Sequence, residues 1–165
     1  MKTLYLLRHA KSSWEEQVDD HKRSLNERGK NDAILVSNYV KDIINKPQKI
    51  VSSDANRAKT TAKYFKEALD ILDTDFILNP NLYDFGGKSV MEVIKGLDNT
   101  LDSVMIVGHN HALTSIANML GDTDINNIAT CGFVEIKFNV DTWKFSNYGH
   151  TERVIFPRDL KSKNH

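Results

Sequence analysis

The sequence contains very little cysteine. Cys131 is the only cysteine among 165 residues, so the chain cannot form an intrachain disulfide and has no cysteine framework for zinc. We expect Cys131 to be a small buried residue, and the sequence indicates no further role for it. The expected compartment is the reducing cytoplasm.

Net charge and long apolar runs are also missing. Lysine and arginine total 22, and aspartate and glutamate also total 22, so nothing favours wrapping on nucleic acid or on an anionic membrane. No run approaches the roughly 18 apolar residues of a membrane span, and the first apolar stretch is too short for a signal peptide. Binding of an anion would therefore depend on the local placement of positive groups.

The length suits one domain, which we predict at residues 1–160, followed by a polar tail at 161–165. Runs of consecutive apolar residues are typical of strands buried on both faces. These predicted strands are Thr3–Leu7, Lys49–Ser52, Phe76–Leu78 and Ser103–Val107. Helical periodicity lies between them. The predicted helices begin at Asn26 and cover residues 56–69, 89–97 and 112–120.

The pattern changes near the end of the chain. Residues 132–138 (GFVEIKF) alternate between apolar and polar, and Asn139–Thr142 is a predicted turn into a second strand at Trp143–Phe145. Alternating strands and helices followed by a hairpin predict an α/β fold. We expect a three-layer α/β/α domain whose mostly parallel sheet has an antiparallel edge hairpin.

Basic side chains follow three of the predicted strands. Arg8 and His9 end the first, Arg57 lies in the first turn of the helix after the second, and His109 follows the fourth. The carboxyl ends of parallel strands share one edge of a sheet, where ligands bind, so these four side chains should converge. Two helix N-termini at the same edge would favour an anion further.

Two arginines and two histidines at such an edge predict a phosphate site. The planar guanidinium of arginine pairs bidentately with phosphate oxygens. Histidine has an ordinary pKa of about 6.5, so a neutral, nucleophilic form exists at cellular pH. A histidine that attacks phosphorus forms phosphohistidine, which water can then hydrolyse.

Several segments resemble the histidine phosphatase superfamily, also called the phosphoglycerate-mutase-like superfamily. LLRHAKSSW resembles its Arg-His-Gly signature, with Ala10 in place of the glycine. SSDANRAKTTA resembles the segment with the second arginine, and VGHNHAL the segment with the second histidine. DHKRSLNERG (residues 20–29) and the closing WKF…FPRDL resemble the small phosphohistidine phosphatase branch. The resemblance covers nearly the whole chain.

The resemblance implies that His9 becomes phosphorylated and that Arg8, Arg57 and His109 hold the phosphoryl oxygens. It implies no cofactor and no metal, and the sequence has no carboxylate cluster suited to magnesium. Further candidates for contact with the substrate are Ser12, Arg23, Asn110 and Asp84.

Several of these residues also have a simpler interpretation. Arg23 is expected to anchor its loop more than to act in the reaction, and Asp84 is typical of a turn before two glycines. Trp14 and Tyr83 either flank the pocket or pack in the interior. His111 is expected to be a polar residue at a helix start and not a metal ligand.

The larger relatives have an acidic proton donor after the third strand, where this sequence offers only Asp84. An alkoxide leaving group needs a proton from an acid, whereas a phosphorylated imidazole leaves as neutral imidazole. The predicted activity is therefore a phosphohistidine phosphatase acting on proteins of phosphorelays or sugar-transport phosphotransfer systems. The alternatives are a phosphatase for small phosphoesters, which would depend on Asp84, and a non-catalytic domain that binds phosphorylated proteins. The sequence leaves the oligomeric state open.

Overall fold

The computed structural model describes residues 1–162 and contains a six-stranded sheet. The strands are β1 (Lys2–Arg8), β2 (Lys49–Ser52), β3 (Phe76–Leu78), β4 (Ser103–Gly108), β5 (Phe133–Phe138) and β6 (His150–Ile155). The helices are α1 (Glu27–Val40), α2 (Asn56–Ala68), α3 (Lys88–Lys95), α4 (Ala112–Leu120) and α5 (Pro157–Ser162). The strand order is β3-β2-β4-β1-β5-β6. Strands β1 to β4 are parallel, and β5 is antiparallel to both β1 and β6.

The central strands β1, β2 and β4 are buried on both faces, which explains their consecutive apolar residues. The edge strand β3 is apolar as well, although Ile77 and Leu78 are exposed. In β1, Leu4 and Leu6 belong to one hydrophobic core, whereas Tyr5 and Leu7 belong to the other. Residues of α3 and α4 complete the first core, and residues of α1, α2 and α5 complete the second. The predicted three-layer α/β/α architecture is therefore confirmed.

The antiparallel hairpin exists, but its predicted second strand was wrong. Trp143–Phe145 forms a short 3₁₀ helix. Trp143 is fully buried, and its indole N–H donates to the carbonyl of Leu101 at 2.8 Å. Its side chain therefore packs in the first hydrophobic core and not in a strand. The partner of β5 is β6, which sequence analysis missed because exposed polar residues such as Glu152 interrupt its apolar pattern, as is common in edge strands.

The last helix, α5, was not predicted from the sequence. We predicted a tail from Lys161 onwards, but α5 includes Lys161 and Ser162. The ammonium of Lys161 lies 2.8 Å from the carboxylate of the buried Asp32 in α1, and this ion pair ties α5 to the domain. The rest of the predicted tail, 163–165, lies outside the described residues. Within residues 1–162, no helix has the length and apolarity needed to cross a bilayer.

The start of α1 packs directly against the loop that follows β1. The side chain of Asn26 caps the helix by accepting a hydrogen bond from the N–H of Gly29 at 2.8 Å. The N–H of Asn26 donates to the carbonyl of Lys11 at 3.1 Å. A Cβ on Gly29 would lie 2.0 Å from that same carbonyl oxygen. Glycine is therefore needed here so that α1 can support the loop after His9.

We predict that Gly29→Ala lowers the free energy of unfolding by about 1–3 kcal/mol, the usual cost of overpacking, because the helix and the loop must move apart. Urea unfolding followed by circular dichroism measures this change. Gly86→Ala is the matched control, since a Cβ there has its nearest neighbour at 3.8 Å. Equal stability of the two variants would contradict the prediction.

Candidate active site

Three strand ends meet at one edge of the sheet. β1 leads into Arg8 and His9, β2 is followed by the helix that carries Arg57, and β4 leads into His109. These strands are parallel neighbours in the sheet, so their carboxyl ends lie side by side. The ring centroids of His9 and His109 are 5.2 Å apart, and Nε of Arg57 lies 3.4 Å from Nε2 of His9. The structure thus brings the four predicted side chains to one place.

A pocket of about 330 Å³ opens at this edge. It is lined by Arg8, His9, Lys11, Ser12, Trp14, Asp20, Arg23, Arg57, Phe85, Asn110 and Thr130. The lining combines several cationic side chains with a single acidic one, Asp20, an arrangement that favours an anion. His109 is fully buried, and its ring centroid lies 5.1 Å from that of Phe85. A larger cavity of about 470 Å³, near β3 and α3, shares none of these residues.

The ring of His9 has a defined tautomer. Its Nδ1 lies 2.7 Å from the main-chain oxygen of Ala10, and because a carbonyl oxygen only accepts hydrogen bonds, Nδ1 must carry the proton. The lone pair is therefore on Nε2, which the N–H of Arg57 approaches. Burial lowers the pKa of His9 to about 3, and the positive charge of Arg57 adds to this effect. A neutral histidine with its lone pair in a cationic pocket is suited to nucleophilic attack on a phosphoryl group.

Two buried polar atoms beside His9 have no hydrogen-bond partner within residues 1–162. They are Nε of Arg8 and Nδ1 of His109. Each side chain is anchored through another nitrogen: NH1 of Arg8 donates to the carbonyl of Ile128 at 2.8 Å, and Nε2 of His109 lies 2.9 Å from Oγ of Ser53. Buried polar atoms nearly always have partners, so both atoms are candidates for contact with a ligand.

Asp20 was not among the predicted site residues, yet it joins three side chains around the pocket. Its carboxylate accepts hydrogen bonds from NH2 of Arg57 at 3.0 Å, from Nε of Arg23 at 3.1 Å and from the hydroxyl of Tyr83 at 2.5 Å. Its main-chain oxygen accepts a further bond from NH1 of Arg57 at 2.7 Å. Burial raises the pKa of Asp20, but the hydrogen bonds from Tyr83 and Arg57 outweigh this and hold the pKa well below its ordinary value.

Asp20 is therefore an ionised carboxylate that orients Arg57 and partly balances its charge. The sequence did contain a signal for the contact of Asp20 with Arg23. Asp20 precedes Arg23 by three residues, the spacing of an ion pair on a single helical turn, and a short 3₁₀ helix at Asp20–Lys22 produces that turn. The second contact, to Arg57, depends on the packing of this turn against α2.

Arg23 both anchors its loop and lines the pocket. It is only 7% exposed, and its NH1 donates to Oγ of Ser12 at 2.8 Å. Its guanidinium lies over the indole ring of Trp14, 3.6 Å from the ring centroid. Ser12 is thus at the pocket, where its oxygen binds Arg23. Trp14 is 75% exposed, so it flanks the pocket and does not pack in the interior.

Asn110 lines the pocket, but its side chain is already engaged. Its amide nitrogen donates to Oδ1 of Asn127 at 2.8 Å and to the carbonyl of Ile128 at 3.1 Å. Its oxygen accepts from the N–H and the hydroxyl of Thr114 at 3.2 and 2.9 Å. These four bonds use both donors and both acceptor sites of the amide. The geometry therefore assigns Asn110 to the structure of the loop and gives no support to the predicted substrate contact.

Asp84 is not part of the pocket lining. Its carboxylate accepts hydrogen bonds from the N–H groups of Gly86, Gly87 and Val90 at 3.0 to 3.1 Å. Burial raises the pKa of Asp84, but these hydrogen bonds reverse the effect, and the pKa is lower than ordinary. Asp84 therefore caps the start of α3, which agrees with its interpretation as a turn residue and not with a substrate contact or a protonated acid.

Neither His111 nor Cys131 lines the pocket. His111 is exposed at the start of α4. Cys131 is fully buried, and burial raises the pKa of its thiol, so it is an unreactive core residue. Within the described part of the chain, no group of three or more histidine, cysteine, aspartate or glutamate side chains is arranged to hold a metal ion.

A model of the histidine phosphatase superfamily (branch 1) matches residues 4–87, which is half of the chain. The matched segment contains Arg8, His9, Asp20 and Arg57. The chain belongs to the histidine phosphatase superfamily. A chloroplastic protein of Arabidopsis thaliana, described as uncharacterized, is 28% identical to this chain over 150 residues, which cover 86% of this chain and 68% of the relative.

The fold of the chain is that of the SixA structures. SixA from Agrobacterium tumefaciens aligns with a TM-score of 0.79 and 24% identity, over 94% of this chain and 98% of that one. A structure of the protein histidine phosphatase SixA complexed with tungstate aligns with a TM-score of 0.80 and 19% identity, over 96% and 99% of the two chains. At these identities the similarity establishes the fold alone.

Where the signature of the histidine phosphatases has glycine, this member has Ala10, which is fully buried. The N–H of Ala10 donates to the hydroxyl oxygen of Thr61 at 3.0 Å. That hydroxyl donates in turn to the main-chain oxygen of Arg57 at 2.7 Å. These bonds tie the loop after β1 to α2, so His9 and Arg57 keep their relative position.

We predict that His9 and His109 stay neutral when the pH falls from about 7 to about 5, well below the ordinary histidine value. Burial lowers the pKa of each ring to about 3, because a charged ring would be desolvated beside cationic arginines. The exposed His150 is the internal control, since Asp122 raises its pKa and it should become protonated. Nitrogen-15 NMR of histidine-labelled protein reports all three rings. A midpoint at an ordinary value for either buried ring would contradict the prediction.

Proposed function

We propose that this member of the histidine phosphatase superfamily is an enzyme that dephosphorylates phosphohistidine side chains, a phosphohistidine phosphatase. In this proposal His9 accepts the phosphoryl group from a phosphohistidine side chain of a protein and then releases it to water. The observation that carries the proposal is the neutral ring of His9, with its proton directed to Ala10 and its lone pair on Nε2 in an arginine-lined pocket. Membership of the superfamily supports a phosphatase, and the structural similarity to the protein histidine phosphatase SixA supports the substrate class.

The first step transfers the phosphoryl group to His9. Nε2 attacks phosphorus, and the P–N bond of the substrate breaks with its electron pair returning to the substrate nitrogen. A substrate ring that carries a proton on its other nitrogen then leaves as neutral imidazole. Arg8 and Arg57 stabilise the charge on the equatorial oxygens, which is the main requirement of phosphoryl transfer.

The second step hydrolyses phospho-His9. The proton stays on Nδ1 and remains hydrogen-bonded to the main-chain oxygen of Ala10. The phosphorylated ring is therefore cationic and a good leaving group. Water attacks phosphorus, the P–Nε2 bond breaks, and its electron pair returns to Nε2. The phosphate product keeps the two protons of the water, as dihydrogen phosphate, and His9 is again neutral with its original tautomer. Neither bond cleavage requires an additional acid.

Neither carboxylate near the pocket is available as a general acid, and this favours a substrate whose leaving group is a nitrogen atom. An alkoxide needs a proton from an acid, but Asp20 is ionised and bonded to Arg57, Arg23 and Tyr83. Asp84 lies outside the pocket lining. An imidazole leaving group needs no such acid. The pocket is flanked by Trp14 and Phe85, which are 75% and 47% exposed, so a side chain displayed on a protein surface has access to it.

We predict that His9→Ala lowers the rate of dephosphorylation of a phosphohistidine protein by at least about 10³-fold, the scale of loss when a covalent nucleophile is removed. The wild-type protein should form an acid-labile phosphoenzyme after brief exposure to a radiolabelled phosphohistidine protein, and the variant should not. Quenched-flow sampling of phosphate release and of labelled enzyme measures both.

His150→Ala is the control for this experiment, because His150 is exposed on β6 and lines no part of the pocket. It should keep wild-type activity. Equal dephosphorylation by wild type and His9→Ala would exclude His9 as the nucleophile. Binding of phosphoprotein without any phosphoenzyme or phosphate release would instead favour a non-catalytic binding domain.

We further predict that the wild-type protein hydrolyses phosphohistidine more efficiently than p-nitrophenyl phosphate or sugar phosphates, as kcat/KM. Asp84→Asn should change kcat/KM for each substrate by less than about threefold, because the carboxylate caps a helix outside the pocket lining. The amide oxygen can still accept the two bonds that Oδ2 receives from Gly87 and Val90. Fast turnover of phosphoesters that is lost in Asp84→Asn would favour a small-molecule phosphatase with Asp84 as its acid.

A further inference from the structure

Ser53 and His109 form a fully buried pair next to the pocket. Each is 0% exposed, and Oγ of Ser53 lies 2.9 Å from Nε2 of His109. Ser53 follows β2, where its main-chain N–H donates to the carbonyl of Val107 in β4 at 2.9 Å. This bond aligns the end of β2 with the end of β4, so the hydroxyl of Ser53 is held beside the imidazole.

The hydrogen bonds of Ser53 select one tautomer of His109. Oγ of Ser53 accepts a bond from the N–H of Ala55 at 3.2 Å, and a hydroxyl has one proton to donate. If that proton is donated to Nε2 of His109, both groups are satisfied, and the imidazole proton must be on Nδ1. The other tautomer would have Nε2–H donating to Ser53, whose own proton would have no acceptor within residues 1–162.

The choice of tautomer decides what His109 offers to a ligand. Nδ1 is the nitrogen without a partner in the described residues, and burial lowers the pKa of this ring to about 3, so only one nitrogen carries a proton. An N–H at Nδ1 can donate to a phosphoryl oxygen, whereas a lone pair there would repel it. The ring centroid lies 5.2 Å from that of His9, within reach of a phosphoryl group on Nε2 of His9.

We propose that Ser53 is a positioning residue that holds His109 in the Nδ1–H tautomer, so that this N–H donates to the oxygens of the phosphoryl group. This role of Ser53 rests on the proposed function for the identity of the transferred group. Ser53 itself makes no contact with the substrate. Its effect passes entirely through the proton of His109.

Nitrogen-15 NMR of the histidine-labelled protein tests the tautomer directly. In wild type we expect His109 to have a protonated Nδ1 and a bare Nε2. Ser53→Ala removes the donor to Nε2, so Nε2–H or a mixture should replace this state. Ser52→Ala is the matched control, because Ser52 is equally buried but its hydroxyl donates to the main-chain oxygen of Ser53 at 2.9 Å.

Affinity for tungstate, a tetrahedral oxyanion, tests the consequence. Ser53→Ala should weaken tungstate binding about 10- to 100-fold, the range for loss of a hydrogen bond to a charged group, and Ser52→Ala should change it less than about threefold. Phosphohistidine turnover should fall in parallel. A bare Nδ1 in the wild-type spectrum, or unchanged tautomer and tungstate affinity in Ser53→Ala, would overturn the proposal.

The two proposals fail separately. A wild-type protein with Nδ1–H on His109 and Ser53-dependent tungstate binding, but without turnover of phosphohistidine, would refute the proposed function and support the assignment of Ser53. Full turnover with a bare Nδ1 would support the proposed function and refute the assignment. The wild-type spectrum alone decides the tautomer, so the test does not depend on the folding of any variant.

Discussion

The hydrogen bond between Nδ1 of His9 and the main-chain oxygen of Ala10 is the interaction on which the candidate site depends. This bond is 2.7 Å long. It keeps the proton on Nδ1 and leaves the lone pair on Nε2. That separation makes Nε2 nucleophilic before phosphoryl transfer and a good leaving group afterwards. Burial keeps the ring neutral beside two arginines, because its lowering of the pKa of His9 outweighs the rise that this hydrogen bond causes.

A chain without net charge still concentrates positive charge at this site. Arg57 is 2% exposed, and a buried guanidinium is stable only with a partner. Asp20 is that partner, through one carboxylate oxygen and one main-chain oxygen. The charge of Arg57 is thus partly compensated in the free protein, while Arg8 has a buried N–H without a partner within residues 1–162. The bonds to Asp20 therefore stabilise the buried Arg57, and the cationic lining of the pocket still favours an anion.

Most of the fold could be predicted because burial leaves a strong pattern. Strand β2 and helix α4 have the bounds expected from their apolar residues, because a strand covered on both faces requires consecutive apolar positions and a helix packed on a sheet requires an apolar stripe. Strand β3 also has the expected bounds, although its Ile77 and Leu78 are exposed at the edge of the sheet. The prediction from the apolar pattern failed where tertiary packing determines the secondary structure. Trp143 was assigned to a strand because it is apolar, but its burial serves the core in a 3₁₀ helix. Strand β6 was not predicted because, as an edge strand, it has exposed polar residues that interrupt its apolar pattern.

The sequence by itself determined which residue types end the strands of the parallel sheet, and topology then required Arg8, His9, Arg57 and His109 to meet. Hydrogen-bond partners were decided only by the tertiary structure. The bond of Asp20 to Arg57 spans 37 positions and that of Ser53 to His109 spans 56, so no local spacing indicates them. Asp84 and Asn110 have the right chemistry for a site, but their side chains are already engaged. Backbone N–H groups of its own loop and of α3 bond to Asp84, whereas Asn110 bonds to α4 and to a loop 17 positions away. A sequence specifies the available donors and acceptors, whereas packing decides which remain for a ligand.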